Sequence, residues 1–222
     1  MFLRLFTVAL NAYREAVRAR VLLGLAGVAV GVAIYSLIVG AYTLNDAPRV
    51  VADLGAATIS IFSIAVAVLI GATSLYRELE MKTILPLLAR PIHRSEYLLG
   101  KYLGTMLVVT VFAMAECGLV MMMSAAIGGR SPLLVVQLLA ALVVALGLAS
   151  WRSTRARTYG PIVWAVGMFV VGAWLCGSAP LARSLLLSST LLTVLEVAII
   201  AAMATLFSSF STPFVSSLLT LL

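Results

Sequence analysis

Apolar positions in this 222-residue chain do not alternate or recur on one helical stripe; they fill long uninterrupted runs. Six runs reach the roughly 20 residues that a helix needs to cross a hydrocarbon core: Val21 to Tyr42, Leu54 to Tyr76, Tyr102 to Ile127, Leu133 to Trp151, Tyr159 to Ala179, and Leu185 to Phe210. A seventh run begins at Pro213, and the sequence stops inside it at Leu222. Barrel strands alternate polar and apolar positions over about ten residues, so these runs predict helices. The expected fold is all-α: a polytopic membrane helix bundle of six complete spans and an unfinished seventh.

Two segments break the pattern. In the first 20 residues, Phe2, Leu5, Phe6, Ala9, Leu10, Tyr13 and Val17 recur at helical spacing, opposite Arg4, Asn11, Arg14, Glu15 and Arg18. That arrangement predicts an interfacial helix with its apolar side on the inner leaflet, serving as an anchor or as an elbow that links a partner to the first span. The second segment, residues 77–101, is a polar loop between two spans. Together with Tyr76 it holds eight of the chain's 23 charges. Glu78 and Lys82 are four residues apart, which favours a short solvent-facing helix over Arg77 to Leu85. Pro86 and Pro91 interrupt it, so a second short element is expected after the break. Topology explains the basic residues of this hairpin but not Glu78, Glu80 and Glu96. Mixed charge around a Leu87-Leu88-Ala89 patch fits a surface on which another protein docks.

Only 10% of residues are charged and 63% are hydrophobic, against about 25% charged in soluble domains. Basic residues set the expected orientation, because cytoplasmic loops collect Lys and Arg. Twelve of the 15 fall in the amino-terminal segment, the second loop and the fourth loop, which places the amino terminus inside the cell. The net charge of +7 is therefore a matter of topology and anionic headgroups, with no basic groove that would bind nucleic acid. Cys117 and Cys176 both fall in apolar runs with no paired spacing, so neither a disulfide framework nor a zinc site is expected. Met121, Met122 and Met123 are consecutive and point around a helix, not at one metal.

The run from Gly71 through Tyr76-Arg-Glu-Leu-Glu-Met-Lys-Thr-Ile84, then Leu87-Leu-Ala-Arg-Pro-Ile-His-Arg94, then Tyr97-Leu-Leu-Gly-Lys101-Tyr-Leu-Gly104, resembles the permeases of ABC-2 type transporters. Asn11-Ala-Tyr-Arg-Glu-Ala-Val-Arg-Ala-Arg20 is similar to the entry helix of that family, and Leu206-Phe-Ser-Ser-Phe-Ser-Thr-Pro213 resembles its turn between two late spans. The resemblance covers about residues 5 to 127 and 186 to 222. It implies an exporter in a bacterial inner (cytoplasmic) membrane, with two permease halves, as homo- or heterodimer, and separate cytoplasmic ATPase subunits on their loops. Glu78, Glu80, Lys82, Thr83, Arg90, Pro91 and Arg94 would lie on or near the helix that transmits ATP-driven closure. ATP would be handled by the partner, since no Gly-x-x-x-x-Gly-Lys-Ser/Thr loop occurs in the chain. No catalytic, cofactor or metal residues are expected here.

Two departures from that family's pattern stand out. Leu133 to Trp151 and Tyr159 to Ala179 intervene like an inserted hairpin over residues 133–179, which preserves the inside/outside alternation. The family's final span is expected but missing at Leu222. The whole of 1–222 is expected to be one transmembrane domain.

Within the spans, Glu116 and Glu196 sit near mid-depth, where a carboxylate is costly unless it faces protein or water. Three uses are open: hydrogen bonding to neighbours such as Ser124, Thr190 or Thr193, lining the pathway, or relaying protons. Gly24, Gly27 and Gly31 share a face of the first span, and Gly27 and Gly31 have the small-x-x-x-small spacing that lets helices approach. Packing inside the subunit is expected of them ahead of a dimer seam. Besides the permease, two other functions are compatible with the chain: a proton-coupled secondary transporter using Glu116 and Glu196, and a membrane scaffold that moves nothing.

Overall fold

In a computed structural model, the backbone of residues 2–43, 46–80 and 94–221 is described. All regular structure in these residues is helical: α1 Phe2–Val17, α2 Arg20–Ala41, α3 Ala47–Glu80, α4 Arg94–Ile127, α5 Pro132–Arg152, α6 Thr154–Leu175, α7 Pro180–Phe207 and α8 Pro213–Leu221, with one 3-10 turn at Cys176–Ser178. Helices α2 to α7 are each long and apolar enough to cross a membrane, which agrees with the six expected spans.

Helices α3 and α4 are longer than hydropathy alone predicts. Each has 34 residues, about 51 Å at 1.5 Å per residue against a hydrocarbon core of about 30 Å. Arg77 to Glu80 are therefore not the start of a separate helix. They are the last turn of α3, because Tyr76-Arg-Glu-Leu-Glu80 holds no breaker and intrinsic propensity carries the helix past the apolar run. The rest of the expected first helix and the break at Pro86 and Pro91 lie outside the described residues; beyond them α4 starts at Arg94 and continues unbroken to Ile127, so the polar residues Arg94 to Lys101 are part of the same helix as the third span.

The chain forms two compact units. One comprises Met1–Leu22, Ser63–Val109 and Leu195–Leu222, and so contains α1, α8, the second half of α3, the first half of α4 and the last part of α7. The other comprises Leu23–Phe62 and Thr110–Val194. Its core joins Ala33, Val51, Ile59, Cys117, Val120, Met121, Met122, Met168, Leu175 and Leu186. Met121, Met122 and Met123 are all buried, as core side chains.

In this second unit α4 and α6 touch backbone to backbone. A Cβ at Gly118 would meet the Met168 carbonyl oxygen at 2.5 Å, and one at Gly172 would meet the Gly118 carbonyl oxygen at 2.5 Å. The chain leaves α4 through Gly129 at φ +96°, the left-handed position that glycine adopts without strain. Arg130 N–H donates back to Ala125 O at 3.1 Å, closing the end of the helix. Arg130 then lies over the Trp174 ring, 5.7 Å from its centre. Helices α5 and α6 are joined through the single extended residue Ser153, and α5 is the least buried of the six spans.

Candidate functional site

The first unit gathers the parts that flank the charged loop. Helix α1 lies against the start of α4 through small residues on both sides. A Cβ at Gly100 would strike Val8, and one at Gly104 would strike Ala12 Cβ at 2.6 Å and Ala9 O at 2.7 Å. Ala9, Ala12, Tyr13 and Ala16 are buried by this packing, whereas Phe6 is exposed. The expected apolar face of α1 thus splits: Ala9 and Tyr13 turn into protein, and Phe6 keeps the orientation of an interfacial residue. Glu15 Oε2 and Lys101 Nζ form an ion pair at 3.4 Å beside this crossing; the Lys101 side chain is 4% exposed and that of Glu15 40%. A buried ammonium needs a partner, which gives Glu15 a fixed place on α4.

The other side of the loop is tied to α7. Gly71 on α3 faces Ala204 at a hypothetical Cβ distance of 2.7 Å, and Ser208 Oγ donates to Ala72 O at 2.8 Å with Ser208 fully buried. Ser208 belongs to the turn between α7 and α8. That turn is held by Ser209 N–H to Leu206 O at 3.1 Å and Ser211 N–H to Phe207 O at 3.0 Å, and by the edge-to-face pair Phe207 and Phe210. Tyr102 O–H, on α4, donates to Ala198 O on α7 at 3.3 Å. Both helices that lead into residues 81–93 are therefore fastened to neighbours, α4 to α1 and α7, and α3 to α7.

Of the residues expected to couple, Glu78 and Glu80 stand in the last turn of α3 and Arg94 opens α4. Their side chains lie outside the described residues, as do Lys82, Thr83, Arg90 and Pro91 altogether. The sequence reading missed Glu15, Lys101, Gly100, Gly104 and Ser208 as parts of this block. Gly100 and Gly104 carry the same spacing as Gly27 and Gly31, so a search for small-x-x-x-small pairs beyond the first span would have found them.

The intramembrane candidates separate. Glu116 is buried, and neither of its oxygens has a hydrogen bond among the described residues. Bonding to Ser124 is not seen, because that hydroxyl donates to its own helix at Val120 O, 3.0 Å. Thr190 lies instead against the Cys117 thiol. It has no ion pair among the described residues, and a charge buried without one is costly. Glu196 is exposed on α7, without a hydrogen bond or ion pair among the described residues. A carboxylate at the centre of a span costs about 3 kcal/mol on insertion scales unless it meets protein or water.

Gly24, Gly27 and Gly31 do not pack as expected. A Cβ at each would meet nothing within 4 Å, so within the described residues they face open space, not a helix of this subunit. Cys117 and Cys176 are free and buried, and no cluster of His, Cys, Asp or Glu able to hold a metal occurs among the described residues.

Six apolar spans, with an amphipathic entry helix locked to the start of the third, define a multi-pass helical membrane protein. The family model described as ABC-2 family transporter protein matches residues 8–222, nearly the entire chain, and the chain belongs to that family. It is the permease type of ABC transporter component, a transmembrane subunit. No curated protein and no solved structure matches it.

Proposed function

We propose that this chain forms the membrane path of an ATP-driven exporter and takes its drive from a separate cytoplasmic ABC ATPase docked on residues 77–101. The observation that carries this reading, beside family membership, is the fastening of both helices that enter that segment. A docking loop can transmit force only if its roots are stiff. Here α4 is clamped to α1 by Gly100, Gly104 and the Glu15–Lys101 pair, and α3 is bonded to the α7 turn by Ser208. The amino terminus faces the cytoplasm on this reading, as the distribution of basic residues requires. The membrane is a bacterial inner membrane, a second permease half completes the path, and ATP binds to the partner alone. Glu78, Glu80, Lys82, Thr83, Arg90, Pro91 and Arg94 form the contact with the ATPase.

Affinity capture from membranes tests the reading, comparing the unmodified chain with a Glu78→Ala, Glu80→Ala, Arg90→Ala variant. A nucleotide-binding ATPase that co-purifies with the first and is lost from the second is the expected result. A folded, inserted protein with no ATPase in either form would return the choice to a proton-coupled carrier or a scaffold.

A further inference from the structure

The one-residue turn between α5 and α6 gathers three of the six arginines of the second unit. Ser153 N–H donates to Ala149 O at 3.3 Å and closes α5, while Ser153 O accepts from Arg157 N–H at 3.0 Å and opens α6. Below the turn the two helices stay close, since a Cβ at Gly160 would lie 3.2 Å from Leu146 Cδ1. On this fixed tip Trp151 is 89% exposed, and Arg152, Arg155 and Arg157 are exposed with it. None of these arginines is in an ion pair among the described residues. No Asp or Glu occurs in the sequence between Glu116 and Glu196, and the other acids of this unit are Asp46 and Asp53, before and within the first turns of α3, and Glu116 in mid-α4. Arginine keeps its proton at any physiological pH, so three positive charges stand here without a counter-charge from their own unit.

We infer that this tip binds the phosphate headgroup of an anionic phospholipid, with Arg152, Arg155 and Arg157 as the counter-charges and Trp151 lying beside the glycerol and upper acyl chain. Depth selects the partner. Helices α5 and α6 have 21 and 22 residues, about 32 and 33 Å at 1.5 Å per residue, against a hydrocarbon core of about 30 Å. The tip therefore stops in the headgroup layer, which a water-soluble protein would have to enter to reach it. Trp favours the same layer, apolar body toward the chains and N–H toward water. A guanidinium sets two parallel N–H donors against two phosphate oxygens, and anionic headgroups attract juxtamembrane arginines cumulatively. A zwitterionic headgroup brings its own cation and no net charge to balance three arginines. On the orientation proposed above, the lipid belongs to the inner leaflet. The binding itself needs neither an ATPase nor export, so it stands or falls apart from that reading.

The test uses the purified full chain in nanodiscs of phosphatidylcholine doped with phosphatidylglycerol or, in parallel, with more phosphatidylcholine, each dopant carrying bromine on its acyl chains just below the headgroup. Bromine quenches nearby tryptophan fluorescence, and Trp151→Phe defines the share of the signal that Trp151 gives. The expected result is a preference of at least about fivefold for phosphatidylglycerol at Trp151. That preference should fall to less than about twofold in an Arg152→Gln, Arg155→Gln, Arg157→Gln variant and persist in Arg183→Gln, which removes a charge elsewhere in the unit. Equal quenching by the two lipids in the wild type, or a preference that survives the triple substitution, would overturn the inference. So would an ATPase captured by the wild type and lost from the triple variant while the lipids are not distinguished, since the tip would then be a protein contact. Where the triple variant does not insert, salt decides on the wild type alone: about 1 M salt shortens the screening length to about 3 Å and should reduce the preference at least twofold, and a preference indifferent to salt would contradict charge recognition.

Discussion

Replacing Gly118 with alanine tests the packing at its tightest point. The added methyl would sit 2.5 Å from the Met168 carbonyl oxygen and 2.7 Å from Phe169 N, where ordinary contact begins near 3.4 Å. Both obstacles are backbone atoms, so no rotamer change relieves the clash, and α4 and α6 must part by about 0.9 Å. Gly172 stands across the same crossing, so the separation is felt on both helices. Overpacking of this kind costs about 1–3 kcal/mol. The same substitution at Gly24, Gly27 or Gly31 meets open space, and there alanine gains up to about 1 kcal/mol of helix propensity. The two sets should thus move in opposite directions. Reversible unfolding of the purified protein in mixed micelles, titrated with a denaturing detergent, measures the difference. Gly118→Ala as stable as the wild type, or Gly27→Ala as damaging as Gly118→Ala, would refute the reasoning.

Three further substitutions test other contacts. Ser208→Ala removes the buried hydroxyl that holds the α7 turn to Ala72, and a loss of about 1 kcal/mol is expected in the same titration. Glu15→Gln should cost about 1 kcal/mol or less, because Glu15 is partly exposed, whereas Glu15→Lys sets a second ammonium beside buried Lys101 and should lower the melting temperature well beyond that. Glu116→Gln should melt within about 2 °C of the wild type, since the glutamine has nearly the same shape and the carboxyl it replaces has no hydrogen bond or ion pair among the described residues; a large loss would show that Glu116 is ionised and paired.

The spans and the entry helix were legible because a hydrocarbon core demands long apolar runs, and few other structures do. Their ends were not. Hydropathy marks where a helix leaves the membrane, while propensity and breakers mark where it stops, so α3 begins at Ala47 and runs to Glu80 instead of spanning Leu54 to Tyr76. The clamp on α4 was half visible: Gly100 and Gly104 announce a close approach, but only the fold shows that Ala9 and Ala12 of α1 are what approaches. The two mid-span acids looked alike because both are flanked at helical spacing by apolar residues, Phe112 and Val120 around one, Leu192 and Ile199 around the other. Which neighbours face protein is decided by tertiary packing, and that packing buries Glu116 and leaves Glu196 open. The glycines of α2 misled for the same reason, since spacing shows that a helix can be approached closely but not by what.

The central claim is that residues 77–101 are where an ATPase grips this permease. The most direct measurement places a photo-crosslinking amino acid at position 90 in living cells, with a second at Leu133 as the control, at the start of α5, the end expected on the opposite side. The account predicts an adduct with a nucleotide-binding ATPase from position 90 and none from position 133. An inserted protein that gives no such adduct from position 90, or gives it from position 133, would contradict it.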